Sequence, residues 1–249
     1  MKLTIVGCAG SFPTPDSACS AYLVEADGFR LLLDMGNGSL GGLQRHIGLC
    51  DLDAVVLSHL HGDHCLDACA YAVARRFAPE GPFPAMPLYG PPGTLRRLAS
   101  AYDAQGLDAR LDDVYVEHSL RPGRVEIGPL RLAVDTVNHP VETYAVRISH
   151  GGRSLTYSAD TGPCPALIAL ARDTDTLLCE ASFTSERCNP PDLHLTGAQA
   201  GEHAARAGAG RLLLTHLTAW SDAERTLAEA RAAYDGDAVV VSAGTSYDI

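Results

Sequence analysis

Lysine is almost missing from this chain: Lys2 is the only one among 249 residues, arginine supplies the other positive charges, and the formal net charge is −11. A protein that grips long stretches of RNA or DNA normally presents a basic face. Beyond the pairs Arg75-Arg76 and Arg96-Arg97 no basic cluster occurs, so extended nucleic-acid binding is disfavoured. Long apolar runs are missing too, none reaching the length of about 18 residues that spans a bilayer. Met1 to Gly7 passes straight into a strand pattern rather than a signal peptide. The expectation is a cytoplasmic protein without a membrane partner. C-x-x-C pairs are absent: eight cysteines lie scattered at positions 8, 19, 50, 65, 69, 164, 179 and 188. They read as reduced, mostly buried thiols. Cys65 and Cys69, one helical turn apart, are expected to pack against a sheet rather than bind metal. With no repeat, low-complexity tract or linker, residues 1–249 read as one domain of a size that supports a sizeable core.

Apolar alternation and turn signals predict strands over 2–7, 20–25, 29–34, 53–57 and 86–89, and again over 113–118, 124–127, 130–137, 143–149 and 153–158. Further strands are expected at 175–179, 211–215 and 237–241. Helical spacing is expected over 39–48, 63–77, 92–102, 164–171, 197–207 and 222–233. Strand-rich halves, each followed by helices, suggest two packed sheets with helices outside.

Residues 58–64 read Ser-His-Leu-His-Gly-Asp-His, directly after the apolar run 53–57. A lone histidine is more often a surface or core side chain than a ligand. Three imidazoles and a carboxylate in one strand-to-helix turn are different, because imidazole nitrogen and carboxylate oxygen together suit zinc or another borderline divalent ion. Gly62 permits the tight turn. His59 and His61 alternate with Leu60 and can face one metal; Asp63 and His64 can face a second. His139, Asp160 and His216 each follow a strand pattern, so they can meet the first cluster at one edge of the sandwich. His46, His118, His150 and His203 have no evident partner and are expected to face solvent.

This pattern resembles the metallo-β-lactamase superfamily, and within it the ribonuclease Z-like branch, over nearly the whole chain. The family's ligand positions match His59, His61, Asp63, His64, His139, Asp160 and His216. The resemblance implies an α/β fold of αββα sandwich type and two divalent metal ions, zinc or manganese. His59, His61 and His139 would hold one ion, Asp63, His64 and His216 the other, with Asp160 bridging. His139 to Ile148 resembles the segment around the third ligand, and Leu178 to Phe183 the branch's glutamate motif. His194-Leu195-Thr196-Gly197 resembles its histidine-threonine motif, in which the histidine stabilises the phosphate or assists its leaving group. Catalytic roles are expected for His194, for Glu180, which would orient His194 or a ligand histidine, and for Asp63, which like Asp160 is a candidate to take a proton of the attacking water. Branch members are often dimers, but no interface can be read from the residues.

Departures from the branch narrow the expectation. The tRNA-processing members carry a basic loop near the N-terminus, where residues 13–20 here are Pro-Thr-Pro-Asp-Ser-Ala-Cys-Ser. They also insert a long arm between the third histidine and the bridging aspartate, whereas His139 and Asp160 are 21 positions apart. The remaining pattern is more similar to bacterial cyclic-nucleotide phosphodiesterases of this fold. The expectation is hydrolysis of a small phosphodiester, with a tRNA 3′-end endoribonuclease, an arylsulfatase-like esterase or a lactonase as alternatives on the same site, and a non-catalytic metal-binding scaffold as a distant one. Oxygen-reducing di-iron relatives carry Glu where His61 stands, which favours hydrolysis. Loop 10–20 and segment 78–84 are expected to shape a base pocket.

Overall fold

The computed structural model describes residues 1–103, 110–186 and 189–249. The first sheet is built by β1 (Lys2–Ala9), β2 (Ala18–Cys19), β3 (Ala21–Ala26), β4 (Phe29–Leu33) and β5 (Ala54–Val56). Helices α1 (Ser39–Leu43), α2 (Gly62–Cys65) and α3 (Asp67–Phe77) follow, then β6 (Met86–Gly90), α4 (Thr94–Tyr102) and β7 (Tyr115–Ser119). The second sheet contains β8 (Gly123–Ile127), β9 (Leu130–Thr136), β10 (Tyr144–His150), β11 (Arg153–Tyr157), β12 (Thr176–Glu180), β13 (Arg211–Thr215) and β14 (Asp237–Val240). Helices α5 (Pro165–Leu170), α6 (Gly197–Ala207) and α7 (Ala223–Ala233) interleave with them, and β15 (Ser246–Asp248) returns to pair antiparallel with β1 in the first sheet.

Each sheet is antiparallel at one side and parallel at the other: β1, β3 and β4 run antiparallel and β4 to β7 parallel, as β8 to β11 run antiparallel and β11 to β14 parallel. Parallel strands are covered on both faces and therefore read as continuous apolar runs. β5 and β12 are buried at every position. The period of two along a strand sorts side chains between layers. In β4, Leu31 and Leu33 point into the core between the sheets, while Leu32 joins the core under the first helical layer. In β12, Leu178 faces the inter-sheet core and Leu177 and Cys179 face the core under α5, α6 and α7. Three apolar cores thus separate four layers, the expected αββα sandwich.

Several local expectations need correction. The helix expected over 39–48 stops at Leu43, within a Gly41-Gly42 stretch of low helical propensity. The helix expected over 63–77 is two helices meeting at Leu66, where the backbone N–H of Asp67 turns aside to the carbonyl of Met35. β2 and β15 are too short to give a periodic signal and exist through pairing with β1. Cys19, Cys65, Cys164 and Cys179 are buried, Cys8, Cys50 and Cys69 half-buried, and all seven are free thiols; Cys188 lies outside the described residues.

His203 is not solvent-facing. It is 4% exposed on the inner face of α6, a helix that begins with the reciprocal capping pair Thr196 and Gln199. Its Nδ1–H donates to the carbonyl of Gln199 at 2.7 Å, and its Nε2 accepts the N–H of Cys164 at 3.0 Å. The ring is therefore a neutral Nδ1 tautomer tying α6 to the start of α5, and burial lowers its pKa below 6.5. The unfolded chain takes up this proton first, so stability should fall as pH drops below about 6.5, by at most about 1.4 kcal/mol per pH unit for one site. Denaturant melts of the wild type and His203→Gln between pH 7.5 and 5 should converge as pH falls. Parallel curves would contradict this assignment. His150 is also half-buried, its Nδ1 3.2 Å from the carbonyl of Pro129 and its Nε2 3.2 Å from Asp27. His46 and His118 are exposed, the latter stacked on Tyr89.

Candidate metal centre

All nine residues singled out in the sequence lie together at one edge of the sandwich. His59 and His61 follow β5, and Asp63 and His64 open α2. His139 follows β9, Asp160 follows β11, Glu180 ends β12, and His216 follows β13. Two glycines let the loops close. A β-carbon at Gly36 would lie 1.9 Å from the carbonyl of Asp63, and one at Gly10 would lie 2.5 Å from that of His216. Asp34, Ala159 and His216 adopt left-handed backbone at φ 58°, 55° and 59°. Such conformations are costly away from glycine and persist where the surroundings over-determine them.

Two donor sets result. Nε2 of His59, Nδ1 of His61 and Nε2 of His139 converge, His61 Nδ1 lying 3.1 Å from Nε2 of His59 and 3.2 Å from Nε2 of His139. Asp63, His64, Asp160 and His216 form the other set, with the Nε2 atoms of His64 and His216 3.1 Å apart. Asp160 lies between them, Oδ1 3.3 Å from His64 and Oδ2 3.8 Å from His59. A third grouping, Glu180 with His194 and His216, is less available, because Glu180 and His194 are bonded to each other.

The hydrogens on the far side of the rings decide which nitrogens are free. Ser58 Oγ donates to Asp34, so it can only accept from Nδ1 of His59 at 3.1 Å. Ser182 Oγ donates to the carbonyl of His216 and so accepts from that residue's Nδ1 at 2.9 Å. Nδ1 of His64 donates to Asp34 at 2.8 Å, and Nδ1 of His139 to the carbonyl of Leu193 at 3.0 Å. Four Nε2 atoms are therefore aimed inward, each offering a lone pair when its ring is neutral. Nitrogens at 3.1 Å that both offer lone pairs cannot bond to each other. Asp160 Oδ1 is buried with no hydrogen-bond partner. An orphaned carboxylate oxygen facing converging lone pairs is relieved by a cation, and this N and O donor set suits a divalent ion. Burial lowers the pKa of His59, His61 and His139. For His64, burial acts the same way, but the charges of Asp160 and Asp34 outweigh it and raise the pKa. A cation would displace that proton.

Asp34 escaped the sequence reading. It is fully buried and accepts the N–H and hydroxyl of Ser58, the hydroxyl of Tyr157 and Nδ1 of His64, at 2.7–2.8 Å. The only available signal was a carboxylate closing the apolar strand 29–34. Ser58 and Ser182 were missed for the same reason: their role lies in what they turn the rings toward. Carboxylates behind metal-binding histidines typically contribute 10- to 100-fold, so about that loss in metal affinity is expected for Asp34→Asn. Competition with a chromogenic chelator measures it, and unchanged affinity would remove Asp34 from the site.

His194 sits beside both sets, its ring 5.6 Å from that of His139 and 5.5 Å from that of His216. Its Nδ1 lies 2.8 Å from Glu180 Oε1, which also accepts the N–H of Thr161. Burial works against a charged ring, but the Glu180 carboxylate outweighs it and the pKa is raised to about 9. Phe183 stands edge-on to the same ring at 5.1 Å. His59, His64, Asp160 and His216 are buried while His61, His139 and His194 are partly exposed, so the centre opens on their side. From loop 10–20, Ser11 reaches the centre, donating its N–H to Asp63 Oδ2 at 2.9 Å. Segment 78–84 instead lines a groove with Leu49, Val73 and Phe77, which contains none of these residues.

A four-layer sandwich whose strand ends gather histidines and aspartates able to hold metal ions defines a metal-dependent hydrolase. The chain belongs to the family described as "Beta-lactamase superfamily domain", which matches residues 30–217. "Uncharacterized protein ML1173" of Mycobacterium leprae is 44% identical, covering 100% of this chain and 89% of that protein. "Probable metallo-hydrolase YhfI" of Bacillus subtilis is 30% identical over 98% of both chains. The crystal structure of YhfI superposes with a TM-score of 0.88 over 99% of this chain and 98% of its own. "Ribonuclease Z" of Halorubrum lacusprofundi is 29% identical, covering 100% of this chain and 97% of that one.

No helix among the described residues is long and apolar enough to cross a membrane.

Proposed function

We propose that this chain hydrolyses a small phosphodiester, a 3′,5′-cyclic nucleotide, to the nucleoside monophosphate. His59, His61 and His139 would hold one zinc or manganese ion and Asp63, His64 and His216 a second, with Asp160 shared. Two such ions would neutralise charge on the phosphoryl oxygens and acidify a water at the centre. The observation that carries the reading is the Glu180–His194 pair on the open side. Glu180 takes Nδ1 and keeps the ring charged, leaving Nε2–H to donate to a departing oxygen. Asp63 or Asp160 would take a proton from the attacking water, the former held by the N–H of Ser11.

The segment between His139 and Asp160 bears on the size of the substrate. Strands β10 and β11 fill it, joined across Gly151-Gly152 with register pairs from Val146–Tyr157 to His150–Arg153. No arm projects there to hold a folded RNA, and the net charge of −11 opposes one. The relatives called Ribonuclease Z make tRNA the control substrate. Purified protein of known metal content, incubated with cyclic AMP, cyclic GMP and a 3′-extended tRNA precursor, tests the reading. Conversion of a cyclic nucleotide with the tRNA untouched is expected. Cleavage of the tRNA alone would overturn it, and inertness toward all three would direct attention to esters and sulfates.

A further inference from the structure

The donor sets account for a phosphoryl group but not for the aromatic side chains at the rim of the centre. Trp220, the only tryptophan in the chain, is 60% exposed, and Phe12 is 39% exposed. Their ring centroids are 5.2 Å apart with planes tilted by 48°. Both are fixed to the loops that carry the centre. Phe12 follows Ser11, whose N–H holds Asp63. Gly10 donates its N–H to the carbonyl of Leu217 at 2.9 Å, the residue after His216. Trp220 sits in a turn closed by the N–H of Ser221 on the carbonyl of Thr218 at 2.9 Å and by their two hydroxyls at 2.8 Å.

Beside Trp220 lies a cavity of about 360 Å³, lined also by Ser182, Phe183, Asn189 and Arg225. It shares a wall with the centre: Ser182 Oγ holds the ring of His216, and Phe183 packs on His194. Its far side is polar. Asn189 donates an amide hydrogen to the carbonyl of Thr184 at 2.9 Å, which fixes its carboxamide at the cavity wall. Arg225 is held by ion pairs to Glu186 and Glu229. Small-ligand sites combine such a volume with aromatic surface and a few convergent polar groups. An exposed aromatic face on a rigid turn has one ready ligand, another flat π-system, and tolerates any base because every base has such a face.

Resting on the phosphodiester reading, we infer that Trp220, backed by Phe12, is the platform on which a nucleobase of the substrate stacks, with the polar edge of that base turned into the cavity toward Asn189 and Arg225. The substrate class is then nucleoside-bearing rather than a simple sugar or alkyl phosphate. Trp220 is a specificity residue, and it takes no part in the bond-breaking step.

Because Trp220 is the sole tryptophan, its emission reports on the site directly. Zinc-loaded protein is titrated with adenosine 5′-monophosphate and with ribose 5-phosphate, which carries the same phosphate and no base. Saturable quenching by the nucleotide alone is expected. By calorimetry Trp220→Ala should weaken the nucleotide by about 5- to 100-fold, leave ribose 5-phosphate unchanged, and be largely rescued by Trp220→Phe. Equal affinity for both ligands, or a Trp220→Ala protein that binds the nucleotide as the parent does, would reduce Phe12 and Trp220 to a latch between loops. The phosphodiester reading would survive that result. Failure of both ligands to bind would overturn the two together.

Discussion

Asp160→Asn is expected to leave the protein folded, short of metal and without measurable turnover. Asp160 is 2% exposed, and its two oxygens are the atoms that reach both donor sets. An asparagine fits the same space but removes the negative charge. Its amide would also aim an N–H at the lone pairs of His64 or His216, offering a neutral substitute for the cation. Metal content by elemental analysis should fall to at most about one ion per chain, because both sets lose their shared oxygen. Turnover should fall on the order of 10³-fold or more, since charge stabilisation at the phosphoryl oxygens is the largest contribution in such reactions. A thermal melt monitored by circular dichroism separates this from unfolding. The metal-free variant should still melt cooperatively, at or below the temperature of the metal-free parent, because Asp160 is also a counter-charge to the protonated ring of His64. Full turnover from a metal-free Asp160→Asn protein would sink the scheme.

His194→Ala should do the opposite to metal content and something similar to rate. His194 contributes no donor to either metal set, so bound metal should be retained, while kcat falls by about 10²- to 10⁴-fold, the usual contribution of a positioned general acid. The loss should be much smaller on bis(p-nitrophenyl) phosphate, whose leaving group departs without a proton. The pH profile gives an independent reading. Glu180 raises the His194 pKa to about 9 against burial, and bound cations act to lower it. An acid must be protonated to act, so the rate on cyclic nucleotides should decline as pH rises through a limb at or below about 9. Glu180→Gln should move that limb to lower pH, and His194→Ala should remove it. An alkaline limb unchanged in both variants would mean that the leaving oxygen is protonated by another group.

Residues 58–64 announced themselves because four ligand-type side chains fall in one turn, and the strand before them is short enough to be a buried parallel strand. His139, Asp160 and His216 were legible only through strand ends and family pattern, since each alone is an ordinary polar residue. Asp34 was not legible. Its importance comes from Ser58, His64 and Tyr157 meeting it in space, contacts spanning up to 123 positions of sequence. The same holds for β15, whose pairing joins Lys2 to Asp248. Local pattern shows which side chains are apolar and which can bind; it does not show which distant groups become neighbours. His203 makes the point in reverse. An isolated histidine on a helix looks solvent-facing until the N–H of Cys164 arrives to use its lone pair.

The centre draws its donors from the loops of both sheets, His59 to His64 from the first and His139, Asp160 and His216 from the second. A cation held across them would act as a cross-link between the two halves of the sandwich. Stripping it with a chelator should therefore lower the melting temperature of the whole sandwich, both sheets melting together rather than one before the other.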